Sequence, residues 1–284
     1  MASFVQRIKL LATNRTMRGA YPRWLVTRLI TGKPPSLKLD RNVRIGGWIK
    51  FSEYCSFQNP VPAAERLFIR RCLGTKPNRS VAFDIGANIG VFTCLLGSMG
   101  AGQVHAFEPI PETFCRLKTN VVANGLLNRS VLNCLAIGTQ AELITFKVQD
   151  DSPATNHLSD SDFENASDAG VSLQHVAATS LDAYCDSFGV ERIDFLKVDV
   201  EGMEPQVLQG GQRMLCQKRI ASILLEVCPR NLTGVGSSPS ALYQRITNSG
   251  YQPFRLDPSG VPGKPLSLGD VERASLENVV LLPN

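Results

Sequence analysis

The chain has 284 residues, 43% of them hydrophobic and 19% charged, with a formal net charge of +5. That balance excludes a disordered or fibrous protein and is long enough for one large α/β domain plus an appendage. Arg7, Lys9, Arg15, Arg18, Arg23, Arg28, Lys33 and Lys38 all precede Asp40 with no acid among them, so the rest of the chain is acidic overall, which argues against a broadly basic nucleic-acid-binding face.

Residues 1–60 are expected to form a basic arm and lead-in, and 61–284 the main domain. In the arm, Phe4, Ile8, Leu11, Trp24, Leu25, Leu29 and Ile30 mark two amphipathic stretches broken near Tyr21-Pro22. Three roles stand open for it: helices packed on the main domain, contact with a membrane surface or acidic partner, and a transit peptide. Pro34-Pro35 closes the arm, Gly46 to Phe51 predicts a short lead-in strand, and Pro60 to Leu73 predicts a helix with an N-terminal proline. No apolar stretch approaches the roughly 20 residues of a membrane span, and no signal-peptide pattern is present. The eight cysteines are scattered singly, without a C-x-x-C or Cys/His cluster. They predict reduced, buried thiols in a cytoplasmic protein and no zinc.

From Val81 onward strands and helices alternate. Strand Val81–Ile85, helix Ile89–Met99, strand Val104–Phe107, helix Glu112–Asn124 and strand Ser130–Leu135 are predicted in turn. Glu142–Val148 and Gln174–Ala178 predict an antiparallel pair spanning a polar insert. Thr179-Ser-Leu-Asp182 is a capping pattern for a short helix ended by Gly189. Strand Ile193–Val198, helix Glu204–Leu208, strand Ser222–Val227, helix Ser240–Ser249 and strands Tyr251–Leu256 and Asn278–Leu282 follow. Alternating βαβ units imply a Rossmann-like, mostly parallel sheet covered on both faces. The closing pair of strands implies an antiparallel last strand.

The first of these units carries the clearest chemistry. Its strand ends on Asp84, and Gly86-Ala87-Asn88-Ile89-Gly90 then turns the chain into a helix. This is not the dinucleotide fingerprint G-x-G-x-x-G, and no Lys-Ser/Thr follows to make a phosphate loop. A carboxylate at Asp84 repels phosphates but suits a cationic ligand such as S-adenosylmethionine, whose carboxylate the N–H groups of the helix start can hold. Gly86, Ala87, Asn88 and Gly90 are the candidate loop contacts. Glu108, 24 residues after Asp84 at the next strand end, stands where an acid accepts hydrogen bonds from ribose hydroxyls. Ala136 and Ile137, with Asn133 nearby, fall where an adenine ring is flanked.

Lys197-Val-Asp199-Val-Glu201-Gly-Met-Glu204 places three carboxylates at the end of the fourth strand, and Glu226 ends the fifth on the same edge. Glu204, beside Pro205, suits the helix macrodipole. Asp199 and Glu201 are the better candidates for chemistry. His157 sits in a polar loop that can lie over this edge, whereas His105 and His175 fall in strands and are expected to be structural.

Phe83-Asp-Ile-Gly-Ala-Asn-Ile-Gly90, Ala106-Phe-Glu-Pro109, Ala136-Ile-Gly138, Thr179-Ser-Leu-Asp182 and Leu196-Lys-Val-Asp-Val-Glu-Gly-Met-Glu204 stand in the order of one family. Over roughly residues 80–284 the chain resembles the FkbM S-adenosylmethionine-dependent methyltransferases. The resemblance implies a seven-stranded class I methyltransferase sheet and O-methylation of a hydroxyl on a sugar, glycan or natural product. It does not cover the arm. Methyl transfer to an alcohol needs alignment and a base, and Asp199, Glu201 and His157 are the candidates for the base. A divalent ion held by Asp199, Glu201 and Glu226 ranks below metal-free catalysis. Nucleic-acid or protein methylation is the alternative, disfavoured because Asp199-Val-Glu-Gly202 lacks the Asn/Asp-Pro-Pro-aromatic pattern. A non-catalytic cofactor-binding module and a nicotinamide dehydrogenase are further alternatives. The expected location is cytoplasmic, with membrane-surface contact through the arm left open.

Overall fold

The computed structural model describes residues 15–40, 43–48, 54, 61–149 and 171–284. The chain divides into two units, Met1–Pro62 and Ala63–Asn284.

In the first unit, α1 (Arg15–Thr31) precedes an antiparallel pair, β1 (Leu37–Asp40) and β2 (Val43–Ile45). The break expected at Tyr21-Pro22 does not occur; the helix runs through Pro22. The proline ring fixes φ near a helical value, so what is lost is the hydrogen bond its missing N–H would make. Trp24 is buried, its ring 5.1 Å from that of Tyr54, which Trp48 meets at 6.0 Å. Gly46–Trp48 is not a strand, and residues 49–51 and Pro60 lie outside the described residues. The strands form earlier, where Leu37, Leu39, Val43 and Ile45 alternate inward against exposed Lys38 and Arg44.

The second unit is built on an eight-stranded sheet. In chain order its strands are β3 (Val81–Ile85), β4 (Gln103–Phe107), β5 (Ser130–Asn133), β9 (Phe195–Val198), β10 (Ile223–Val227), β11 (Tyr251–Leu256), β12 (Pro262–Pro265) and β13 (Glu277–Pro283). Their spatial order is β12-β11-β13-β10-β9-β3-β4-β5. Pairing is parallel from β5 through β4, β3 and β9 to β10, and antiparallel from β10 through β13 and β11 to β12. Seven of these strands match the expected Rossmann-like sheet. β12 is an addition; Pro262-Gly-Lys-Pro265 reads as a turn, but an edge strand tolerates prolines because one side needs no partner.

Alternation along the central strands sends side chains to two different cores. Phe83, Ile85, Leu196, Val198, Ile223, Leu225, Val279 and Leu281 face one side. There they meet α5 (Leu181–Phe188), α6 (Glu204–Gly210), α7 (Gln212–Cys216), α9 (Pro239–Asn248) and α10 (Leu268–Glu272). The alternate residues Ala82, Phe195, Leu224 and Val280 face α2 (Ala63–Gly74) and α3 (Val91–Ser98) through Phe68, Ile69, Leu73 and Leu96. Both faces are thereby dry, as a parallel sheet requires. Helices α4 (Pro111–Ala123) and α8 (Pro229–Gly234) complete the unit.

A separate three-stranded sheet, β6-β8-β7, is made by β6 (Ala136–Gly138), β7 (Glu142–Gln149) and β8 (Val171–Ser180). β7 and β8 pair antiparallel from Glu142↔Ala178 to Gln149↔Val171, as the sequence predicts. Residues 150–170, His157 among them, lie outside the described residues. The cap of α5 is Ser180, whose Oγ accepts from Ala183 N at 3.1 Å. Asp182, expected to serve that helix, instead accepts from Arg213 N at 2.8 Å and Met214 N at 3.0 Å, capping the start of α7. The described cysteines are all free, but only Cys94 and Cys185 are fully buried; Cys115, Cys134 and Cys216 are exposed. Each has an apolar residue on one side, Phe114, Leu135 or Leu215, yet helical and loop geometry turns these three positions outward.

Candidate active site

The site grows out of the same alternation. On the α2/α3 side the residues that follow Ala82, Phe195 and Leu224 by two positions are Asp84, Lys197 and Glu226, and Asn278 lies on that side two positions before Val280. Register places Asp84 beside Lys197 and Glu226 beside Asn278. An apolar face thus turns polar at the carboxyl ends of the parallel strands, which is the crevice of an open α/β sheet.

Lys197 is 1% exposed. Its Nζ donates to Asp199 Oδ2 at 3.2 Å, Asn278 Oδ1 at 3.4 Å and Val198 O at 3.4 Å, and lies 5.1 Å from the centre of the Phe92 ring. Asn278 Nδ2 in turn donates to the buried Glu65 at 3.0 Å. Burial alone lowers a lysine, but Asp199, Glu226 and Asp84 outweigh it and hold Lys197 above its ordinary value. An ionisable residue inside an otherwise apolar central strand was the signal available in sequence for this group.

The end of β3 and the glycine loop after it build one wall. Asp84 is buried and accepts from Thr93 Oγ1 at 2.6 Å; burial pushes it up to about 6 against the pull of Thr93 and Lys197. Gly86 N and Ala87 N donate to Phe107 O at 3.0 and 2.9 Å, clamping the loop to β4. Gly86 has φ +81°, and a Cβ there would sit 1.8 Å from Asp199 O; no other residue fits so close to the neighbouring strand end. Gly90 opens α3, and Asn88 takes φ +49° between the two glycines.

Glu108, 6% exposed, closes this wall. Its Oε2 accepts from Asn88 N at 2.9 Å and its Oε1 from Ile110 N at 3.0 Å. Burial pushes it up to about 7 despite both bonds. Each oxygen keeps a second lone pair for a ligand hydroxyl. Asn133 lies alongside, its Nδ2 committed to Ala106 O at 3.0 Å and its O accepting from Glu108 N at 3.1 Å. Ala136 and Ile137 are both buried; Ile137 packs into the main core, whereas Ala136 joins Ile110, Val148 and Val176.

The opposite wall is the turn after β9. Glu201 adopts φ +53° and Gly202 φ +105°, a cost of about 1–2 kcal/mol at a non-glycine residue. Glu204 stands in the first turn of α6, as expected, and its Oε1 also accepts from Val200 N and Gly202 N, both at 3.2 Å. From α8, Asn231 Nδ2 donates to Glu201 Oε2 at 2.6 Å. Carboxylate oxygens of Asp199, Glu201 and Glu226 come within 4.8 Å of one another, a set able to hold a cation, although Lys197 already serves Asp199. Burial, then Asp199 and Glu204, push Glu201 up to about 7; burial, then Asp199, push Glu226 up to about 8.

The structure therefore gathers Asp84, Gly86, Ala87, Asn88, Gly90, Glu108, Asp199 and Glu201 along one sheet edge. His157 is outside the described residues. His105 stacks on Phe83 at 4.6 Å and bonds Tyr184 Oη at 2.8 Å, while His175 bonds its cross-strand neighbour Thr145 at 2.9 Å. Lys197, Glu65, Asn231 and Asn278 are additions that spacing along the chain did not reveal.

The Methyltransferase FkbM domain family matches residues 84–253. Among curated proteins, methyltransferase sdnD of Sordaria araneosa is 27% identical over 173 residues, covering 51% of this chain and 66% of its own. The 31-O-demethyl-FK506 methyltransferase FkbM of Streptomyces tacrolimicus is 30% identical over 171 residues, covering 51% and 64%. Hexuronic acid methyltransferase AglP of Haloferax volcanii is 27% identical over 146 residues, covering 51% and 56%. The match spans two thirds or less of the length of each of these relatives.

Proposed function

The chain belongs to the FkbM methyltransferase family, whose cofactor is S-adenosylmethionine, and from that premise we propose that it methylates a hydroxyl of a sugar, glycan or natural-product acceptor. The observation that carries the reading is the pairing of two walls on one edge. One wall is a glycine cradle with the buried acid Glu108, and the other is a carboxylate-lined turn at Asp199 and Glu201. The residues present fit the cofactor: Gly86 lets the loop close directly against the Asp199 end of β9, bringing the two walls together, and Glu108 offers two free lone pairs to the ribose. Asp84 and Asp199 suit its positive charges. Bound there, S-adenosylmethionine supplies a methyl group activated by the sulfonium.

The chain's own task is to align the acceptor oxygen and take its proton. Glu201 is the base in this reading. Asn231 fixes Oε2 at 2.6 Å and leaves Oε1 for the acceptor proton, and a value of about 7 suits proton transfer near neutrality. Names of relatives such as the hexuronic acid methyltransferase support an acceptor rich in hydroxyls.

The test is calorimetric titration with S-adenosylhomocysteine, with NAD in parallel. Selective binding weakened by both Asp84→Ala and Glu108→Ala supports the cofactor site; binding of NAD instead refutes it. Turnover of labelled S-adenosylmethionine on a panel of uronic acids and macrolide alcohols then tests the acceptor class. Glu201→Gln lowers kcat by about 10²–10⁴-fold while S-adenosylhomocysteine affinity persists, and unchanged kcat removes Glu201 from the role.

A further inference from the structure

Most surface helices turn their apolar stripe inward, and α1 has two. Ala20 and Trp24, one turn apart, are 7% and 4% exposed and face into the first unit. On the other side of the helix, Leu25, Val26, Leu29 and Ile30 occupy one contiguous face at i, i+1, i+4 and i+5, with exposures of 42, 52, 75 and 78%. Arg23 and Arg28 are exposed beside that face, and Lys33 is exposed just beyond the last turn. The helix carries no acid, and none precedes Asp40. Because α1 continues through Pro22, it presents one rod of 17 residues, about 25 Å long.

We propose that this face of α1 lies on an anionic lipid surface, with the four aliphatic side chains entering the headgroup boundary and Arg23, Arg28 and Lys33 meeting lipid phosphates and carboxylates. Charge selects the occupant. A second copy of the helix would bring like charges together, since the ionised residues of α1 itself are all arginines. A bilayer surface supplies both the apolar layer and the opposite charge, at the depth an interfacial helix requires. Trp24, held in the unit by Tyr54, fixes which side of the rod faces outward.

The full-length chain is tested by flotation with vesicles of phosphatidylcholine and phosphatidylserine at roughly 2:1, against pure phosphatidylcholine. Binding to the anionic vesicles alone, weakening with salt, is expected. The doublet Leu29→Asp with Ile30→Asp abolishes flotation, and Arg23→Gln with Arg28→Gln lowers binding about tenfold or more. Both leave the thermal unfolding midpoint unchanged, because the altered side chains are exposed. Three results overturn the proposal. Wild type is not recovered with anionic vesicles at low salt; the Asp doublet floats as well as wild type; or wild type is dimeric by light scattering and the doublet monomeric, which assigns the face to a second copy.

Discussion

Replacing Gly86 by Ala tests the architecture of the crevice with a single methyl group. Gly86 holds φ +81°, and the new Cβ would lie 1.8 Å from Asp199 O, where ordinary contact begins near 3.4 Å. The two strand ends must separate by about 1.5 Å, which breaks the bond from Asp199 N to Ile85 O, now 3.0 Å. The left-handed φ costs about 1–2 kcal/mol and the lost bond about 1 kcal/mol or more. Restricting the unfolded chain returns about 0.4–1 kcal/mol. Net destabilisation is therefore about 1–3 kcal/mol, read from urea midpoints at unchanged m. Gly125 has φ +68° with nothing within 4 Å of its would-be Cβ, so Gly125→Ala isolates the dihedral cost at about 1 kcal/mol. S-adenosylhomocysteine affinity falls at least about tenfold in Gly86→Ala and is kept in Gly125→Ala. Equal stability of the two variants, or full affinity in Gly86→Ala, refutes the close approach as a structural requirement.

The unliganded protein loses stability as pH rises. Glu108, Glu201 and Glu226, ordinarily at 4.5, are held at about 7, 7 and 8 in the folded state. The folded chain thus keeps protons that the unfolded chain has released, and stability present below pH 4.5 is lost up to those values. His105, pushed by burial from 6.5 down to about 4, swings the opposite way below 6.5. The clean window is pH 6.5 to 8, with a fall on the order of 2 kcal/mol by urea unfolding; a flat or rising curve there contradicts the burial argument. For metal, Lys197 already places an ammonium 3.2 Å from Asp199. Magnesium is therefore expected to give no saturable calorimetric binding, and EDTA to leave S-adenosylhomocysteine affinity unchanged. A stoichiometric magnesium heat removed by Glu226→Gln would show the three carboxylates acting as a cation site instead.

Local signals carried most of the sheet. Val81–Ile85 and Tyr251–Leu256 coincide with β3 and β11 residue for residue, because β-favouring runs bounded by glycine or helix signals leave little choice. The acids at strand ends were visible for the same reason. What spacing could not show was which distant groups meet them. Asn231 reaches Glu201 across 30 positions, and Asn278 reaches Lys197 across 81; both contacts exist only through strand order. Asp182 misled because a capping residue serves whichever helix start folding brings near, here α7 rather than α5. The helix through Pro22 was missed since a proline's cost is an average that surrounding turns can absorb.

The position of β13 has a consequence for how the protein is made. It is the latest of the sheet strands in chain order, yet it sits inside the sheet between β10 and β11. Until its residues leave the ribosome, those two strands have no shared neighbour, and Lys197 lacks Asn278. A nascent chain halted after β11 thus carries the glycine cradle and the carboxylate turn on the directly paired β3 and β9, but the edge of β10 that β13 covers is still open. Up to the insertion of that single strand, the facing edges of β10 and β11 are unpaired and available to chaperones or to misassembly.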